Sequence, residues 1–194
     1  MRPKTFYVLL IFFVLFAFST ACNQQRNSRV STSTEVFDAE YLGVFELFDK
    51  LMSSFSPNWR VRESDPDLYP DYFAGMYIGD DSRLVILVTE NADRHRQKFA
   101  EILGTDADDF EVRTVQFSYR QMFEVIEQIE DFLMNPANPD NHIFIENFTG
   151  AFVDDESNRV VVMLTSTGDA VIDAFRNEIS DSEVVVFEEG GLFE

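Results

Sequence analysis

The chain has 194 residues, a net charge of −20 at pH 7, a single cysteine and 21 phenylalanines. Such an excess of acid argues against nucleic acid as a partner and against adsorption to an anionic surface. The length is ample for one hydrophobic core. A lone cysteine excludes a disulfide within the chain, so packing, much of it aromatic, has to provide the stability.

The N-terminal segment has the pattern of an export signal. Arg2 and Lys4 precede an unbroken apolar run over residues 6–18, and small residues at 19–21 lead to Cys22. A basic start, a short apolar core and small residues before a cleavage site are typical of a secretory signal peptide. The run is shorter than the roughly 20 residues of a membrane-spanning helix, which makes a retained anchor the second choice. We therefore predict a signal peptide over residues 1–21.

Cys22 and the small residues before it resemble the lipobox of bacterial lipoproteins, whose cysteine thiol receives a diacylglycerol before cleavage. The resemblance implies that Cys22 is lipidated and holds the protein on a membrane of the bacterial cell envelope. Ser19 stands where the lipobox has leucine, and Ser19-x-Ala21 also suits ordinary signal peptidase. Cleavage by that enzyme would release a soluble secreted or periplasmic protein, so both products stay open at this stage.

Residues 22–36 are predicted to form the lipidated cysteine and a flexible polar tether. Between Cys22 and Glu35 the only charged residues are Arg26 and Arg29, no aromatic occurs, and apolar residues are scarce. Such a segment buries too little surface to fold. The segment beyond Thr34 contains 11 of the 15 basic residues and all 35 acidic residues, so its net charge is −24. A basic protein, a peptide or divalent cations are the partners that this charge favours.

A leading amphipathic helix is predicted from about Asp38 to Phe55, because apolar residues recur there at helical spacing. Asp38 suits the N-cap, and Ser56-Pro57 suits the end of the helix. The following segment, Asn58 to Asp71, is rich in Pro, Asp and Arg and is predicted to be a loop.

The chain then repeats one pattern, over about residues 72–117 and 147–188. In each copy an aromatic-x-Gly strand enters an acidic turn, an arginine opens a β-branched strand that a threonine ends, and a helix and a closing strand follow. Gly75 and Gly150 suit a β-bulge or a close backbone approach. Both central strands are apolar on both faces, which predicts that helices cover them on at least one side.

A connecting helix joins the two copies. Ser118 and Gln121 form an S-x-x-Q capping box before its apolar stripe. The predicted fold class is therefore α+β: duplicated β-β-α-β halves forming small, mostly antiparallel sheets, with a leading amphipathic helix and a connecting helix. We expect a single acidic globular domain over residues 37–194.

The strand and turn residues carry a second resemblance. In chain order they are Gly75-x-Tyr77-Ile78, Leu84-Val85-Ile86-x-Val88-Thr89, Phe117-Ser118-Tyr119, Gly150-x-Phe152-Val153-Asp154 and Asn158-Arg159-Val160-Val161-Val162. This order resembles the pro-region of streptogrisin and alpha-lytic-type secreted serine proteases. The resemblance implies an α/β module that docks on its protease, assists its folding and inhibits the product. The sequence ends at Glu194 without a protease or a G-D-S-G-type motif, so we expect no folding assistance in cis and only a binding module.

Enzyme chemistry finds little support in the two histidines. His95, one turn before Phe99, is predicted to be a half-buried packing residue, and His142, just before a predicted strand at Ile143, is predicted to be exposed. A serine triad needs a positioned histidine and carboxylate, and a zinc site needs more ligands at closer spacing. Phosphate-binding glycine loops are also absent. We predict no catalytic residue, no metal and no cofactor.

Carboxylate clusters are the remaining candidates for chemistry. They are Asp106, Asp108, Asp109 and Glu111 in one loop, and Asp154, Asp155 and Glu156 in a hairpin turn. Neither cluster has the spacing of a calcium-binding loop, and in so acidic a chain such runs are usually solvated turns. A hydrolase that uses carboxylates alone is the enzymatic alternative. The prediction is a non-enzymatic, lipid-anchored envelope protein that binds a protein or peptide; a soluble protein with protease-inhibitor or chaperone-like binding is the other alternative.

Overall fold

A computed structural model describes residues 34–190, so the predicted signal peptide, Cys22 and most of the predicted tether lie outside the described residues. The helices are α1 (Thr34–Phe55), α2 (Trp59–Ser64), α3 (Ala92–Leu103), α4 (Tyr119–Met134), α5 (Ile143–Asn147) and α6 (Asp169–Glu178). The strands are β1 (Phe73–Ile78), β2 (Leu84–Val88), β3 (Phe110–Thr114), β4 (Phe148–Asp154), β5 (Arg159–Leu164) and β6 (Val185–Glu189).

The leading helix is longer than predicted at its N-terminus. It begins at Thr34, so Asp38 lies inside the helix rather than at its N-cap, and residues 34–36 are helical instead of belonging to the tether. This stretch contains no glycine or proline that would interrupt a helix. The C-terminal boundary at Phe55, directly before Ser56-Pro57, confirms the predicted end.

The predicted loop after α1 contains two short helical segments. In α2, the Asn58 side chain accepts a hydrogen bond from the Arg60 amide. A 3-10 turn, Pro66–Leu68, follows and is capped by the Asp65 side chain, with proline at its start. Asn, Asp and Pro are loop residues that also begin helices, which is why composition alone predicts a loop here.

Two three-stranded sheets confirm the duplicated α+β architecture, with strand orders β1-β2-β3 and β4-β5-β6. In each sheet the hairpin pair is antiparallel and the closing strand is parallel to the central one. The sheets are therefore mixed rather than mostly antiparallel. The helix between the second and third strand carries the chain back along the sheet, which is the connection that parallel pairing requires.

Each sheet has its own core, and β2 and β5 are central as predicted. All five residues of β2 are buried, and Leu51 of α1 and Phe99 and Leu103 of α3 pack against one face of the first sheet. In the second half, β5 packs against residues from α4, α5 and α6, among which Phe144 and Phe175 are fully buried. The capping box at the start of α4 is also confirmed, because Ser118 and Gln121 exchange both hydrogen bonds.

Candidate interaction site

The two hairpin turns share a backbone feature that positions the contact between the halves. Ser82 and Asn158 adopt left-handed conformations, with φ of 59° and 55°. Each is followed by an arginine, which is the residue before β2 in the first turn and the first residue of β5 in the second. In the second turn the backbone amide of Asn158 also donates a hydrogen bond to the backbone carbonyl of Asp155. This four-residue turn places the side chains of Asp155 and Asn158 where they reach the first half and the connecting segment.

The Asn158 side chain connects the second hairpin turn to the segment that precedes α4 through hydrogen bonds. The residue is 3% exposed. Its Oδ1 accepts from the Phe117 amide at 2.9 Å, and its Nδ2 donates to the Phe117 carbonyl at 2.9 Å. The Arg159 guanidinium lies 4.8 Å from the centre of the Phe117 ring, a cation–π contact. Phe117 is therefore held by its backbone and by its ring.

Asp155 covers the outer edge of β1. A register shift between Phe73 and Gly75 marks the predicted bulge, and Gly75 has a φ of 109°. A Cβ at residue 75 would collide with the Asp155 carboxyl group. Burial raises the pKa of Asp155 to about 7, a hydrogen bond from the Met76 backbone opposes the shift, and the neighbouring Asp154 adds to it. The second half thus closes β1 with a carboxyl group that holds its proton more tightly than an ordinary aspartate does.

Arg120 in the first turn of α4 adds a polar connection to the first half. Its guanidinium lies 3.1 Å from a carboxylate oxygen of Asp67 and 3.2 Å from one of Asp71, and it donates to the Tyr69 carbonyl at 3.4 Å. Both carboxylates are largely exposed, so each ion pair contributes little to stability by itself. Their effect is to orient α4 against the turn before β1.

Within residues 34–190, no element covers the equivalent edge in the second half. Gly150 occupies the same bulge position in β4, with a register shift between Phe148 and Gly150, but a Cβ there would meet no atom within 4 Å. In the part of the chain that the structure describes, β4 pairs only with β5. Phe152, two residues further on, is 47% exposed. The repeat therefore presents one closed and one open strand edge.

Phe152 belongs to an apolar strip across the second sheet. It is in register with Val161 of β5, which is 3% exposed, and Val161 is in register with the half-buried Val186 of β6. Acidic residues flank this strip, because Asp154 follows on the same face of β4 and Glu188 is on the same face of β6. The combination of an open edge, an apolar strip and flanking acids is the candidate interaction site.

Comparison with known families divides the chain at the start of α4. Residues 31–115 match the Pro-like N-terminal domain, and residues 120–190 match the Pro-like C-terminal domain. Each half of the chain is therefore similar to one of these two domains. These matches support a module like the pro-region of a protease, with an internal repeat, as the order of strand and turn residues implied. No curated protein matches the chain.

The half that matches the Pro-like N-terminal domain contains His95, which is more deeply buried than predicted. The side chain is 7% exposed and stacks on Tyr72 with 3.8 Å between ring centroids. Burial lowers its pKa, and the charges of Arg94 and Lys98 lower it further. Its role as a packing residue is confirmed, since a neutral ring stacked on an aromatic side chain is a core arrangement.

The half that matches the Pro-like C-terminal domain contains His142, for which the predicted exposure and the predicted strand at Ile143 are wrong. His142 is the N-cap of α5, because its Nδ1 accepts from the Phe144 amide at 3.2 Å. Its Nε2 lies 3.3 Å from a carboxylate oxygen of Glu178, and the ring packs against Phe132. Both ring nitrogens are engaged in local structure, which leaves neither for a nucleophile.

The predicted acidic clusters form separate turns. Asp109 accepts from the Thr105 hydroxyl and from the Asp106 amide, whereas Glu111 pairs with Arg113 at 2.6 Å. Asp106 and Asp109 line a surface depression together with Glu101, and all three are exposed. The described residues contain no group of three or more His, Cys, Asp or Glu that is arranged to hold a metal ion. A carboxylate general acid needs a desolvated side chain, which this depression does not provide.

Several residues of the site escape sequence reasoning. The left-handed conformation of Asn158 has a signal, since asparagine and glycine favour it. The exposure of Phe152 has none, because a strand aromatic is usually buried. Among the described helices, none combines the length and the apolar character needed to cross a bilayer. Cys22, the predicted lipidation site, lies outside the described residues.

Proposed function

We propose that this chain is a non-enzymatic protein of the bacterial cell envelope, anchored by a lipid on Cys22, whose Pro-like domains bind another protein or a peptide. The observation that carries the proposal is the open edge of β4 beside the half-exposed Phe152. An extended segment adds to such an edge through backbone hydrogen bonds, and its side chains bind against the neighbouring apolar surface. The closed edge of β1 has no such capacity.

The charge of the chain favours a partner with basic side chains. Asp154 and Glu188 flank the apolar strip, and the chain beyond Thr34 has a net charge of −24. Complementary charge accelerates association and excludes acidic competitors, including nucleic acid. We therefore expect binding to weaken as the salt concentration rises.

The non-enzymatic assignment is supported by the family matches and by the side chains themselves. Pro-region-like domains are typically non-catalytic. His142 is committed to capping and to Glu178, and His95 is buried in a stack. The carboxylates around Asp109 are exposed and stabilise a turn. A hydrolase that uses carboxylates alone is the less favoured alternative.

The anchor is tested by the mass of the processed N-terminus. Wild-type protein, expressed in a bacterium that processes lipoproteins, is expected to begin at Cys22, to carry acyl mass and to fractionate with membranes. The Cys22→Ala variant is expected to lose both properties. A wild-type chain without acyl mass in the soluble fraction would refute the anchor and leave the secreted form.

The binding surface is tested with three full-length chains in an envelope extract. Phe152→Ser removes the aromatic side chain at the open edge, and Phe45→Ser is the matched control because Phe45, on α1, is 55% exposed. We expect wild type and Phe45→Ser to capture the same proteins from the extract, and Phe152→Ser to fail to capture them. Equal retention by all three chains, or retention of nothing above background, contradicts the proposed site.

A soluble protein with protease-inhibitor or chaperone-like binding is the second candidate, favoured by the matches to Pro-like domains. Its partner would be a secreted serine protease of alpha-lytic type made as a separate chain. Adding this protein to such a protease is expected to slow peptide cleavage and to raise the yield of refolded enzyme. Unchanged cleavage and refolding yield would remove this candidate without affecting binding to other proteins.

A further inference from the structure

The contact between the two Pro-like domains contains a half-buried aspartate, Asp155, that the proposed function does not use. Oδ1 of Asp155 is buried and has no hydrogen-bond partner among the described residues. It lies against the Cα of Gly75, at the one position of β1 where the chain has no side chain and φ is positive. A group placed this close to the opposite backbone cannot gain water without separating the two surfaces.

We propose that Asp155 makes the contact between the two Pro-like domains sensitive to pH: its neutral carboxyl group seals the edge of β1, and its ionised form separates from that edge.

The physical basis is the cost of burying a charge without adequate partners. An ionised carboxylate needs several donors or a cation to offset lost hydration. At this contact it receives one opposing interaction, from the backbone of Met76, and the negative charge of Asp154 adds to the cost. The pKa of Asp155, raised to about 7, places the change of state near neutrality.

The neighbouring elements supply no compensating cation to Asp155. In β1, Gly75 and Met76 face the carboxyl group, and Tyr77 is the only titratable residue of that strand; its hydroxyl accepts from Arg113. In the second turn, the Asp154 carboxylate accepts hydrogen bonds from the backbone amides of Glu156 and Ser157, and the Glu156 side chain is exposed.

Arg159 of β5 and Arg120 of α4 are engaged in other contacts. Arg159 stacks on Phe117 and donates to the Asn158 carbonyl at 2.9 Å. Arg120 of α4 pairs with Asp67 and Asp71. Neither is among the groups that shift the pKa of Asp155, so the carboxyl group depends on its proton to remain at the contact.

Separation of this contact has a defined structural consequence. The turn that carries Asp155 also carries Asn158, whose hydrogen bonds to Phe117 keep the turn attached to the connecting segment. Opening is therefore expected at β1 alone, where the Met76 amide would exchange with water. The event is local and does not require either core to unfold.

The first measurement is a carboxyl-carbon NMR titration of Asp155 in the full wild-type chain in detergent micelles. We expect a midpoint near 7, where the pKa of this side chain is placed. A midpoint close to the ordinary aspartate value of about 4 would overturn the proposal. This titration needs no substitution, so it remains decisive if a variant fails to fold.

The second measurement is hydrogen exchange of the Met76 amide, corrected for its intrinsic pH dependence. In wild type, opening is expected to increase more than about tenfold between about pH 5 and pH 8. Asp155→Asn should abolish this increase, and Glu156→Gln, an exposed acid in the same turn, should retain it. A pH-independent wild type, or an equal increase in Asp155→Asn, contradicts the proposal.

Discussion

The side chain of Asn158 pairs with both backbone polar groups of Phe117, accepting from its amide and donating to its carbonyl, each at 2.9 Å. A single amide thereby replaces the two hydrogen bonds that a neighbouring strand would make. Because Asn158 is buried, removing it would leave the backbone of Phe117 without these partners and without access to water. This pairing connects the second half of the chain to the segment that leaves the first half.

Asn158 contributes two side-chain hydrogen bonds and tolerance of a left-handed backbone, and different substitutions separate these contributions. Asn158→Ala should lower the free energy of unfolding by about 3 kcal/mol, because two buried hydrogen bonds are lost and alanine disfavours a positive φ. Asn158→Gly keeps the backbone conformation and should cost less. Ser82→Gly, at the equivalent turn, should be neutral or slightly stabilising. Urea denaturation measures all three, and an Asn158→Ala value within about 0.5 kcal/mol of wild type would contradict this role.

The two bulge glycines should respond differently to alanine. Gly75→Ala places a Cβ against Asp155 at a φ of 109° and should cost more than about 2 kcal/mol of unfolding free energy. At Gly150 the Cβ meets open space and φ is not positive, so Gly150→Ala should cost less than about 1 kcal/mol. Equal effects in thermal or urea unfolding would show that the Asp155 contact does not constrain β1.

Stability should depend on pH through Asp155. Its folded pKa of about 7 exceeds the ordinary aspartate value, so the folded state binds the proton more tightly. This stabilisation is complete below about pH 4 and is lost as the pH rises through about 7. His95 has a lowered pKa and acts in the opposite sense, because its contribution is lost on acidification.

The difference between wild type and Asp155→Asn isolates the aspartate. At about pH 8 we expect the variant to be more stable than wild type by on the order of 2 kcal/mol, and this advantage should disappear near pH 4. Urea unfolding at both pH values measures it. An advantage that is independent of pH would assign the effect to packing rather than to ionisation.

Exposed and buried phenylalanines of the same domain provide a further comparison. Phe144 is fully buried, so Phe144→Ala should cost about 3–5 kcal/mol. Because Phe152 is 47% exposed, Phe152→Ser should lower the free energy of unfolding by less than about 1 kcal/mol. A large loss of stability in Phe152→Ser would show that this side chain supports the fold. The exposure of Phe152 would then no longer be evidence for a binding site at the edge of β4.

Short-range patterns predicted the elements that depend on local chemistry. The capping box at Ser118, the end of α1 at Phe55 and the bulges at Gly75 and Gly150 follow from residues that act within a few positions of themselves. The same reasoning failed for α2, whose capping residues also form loops. It failed for His142 because nothing local to residue 142 indicates its contact with Glu178.

The sequence by itself determined that the chain repeats a β-β-α-β unit and that β2 and β5 are central. These conclusions depend on periodicity and composition, which the chain carries locally. Only the tertiary structure decided that Asp155 closes β1 whereas β4 stays open, because two copies of one pattern become different when one packs on the other. Burial of Asp155 and exposure of Phe152 are consequences of that packing, since both depend on residues distant in the chain.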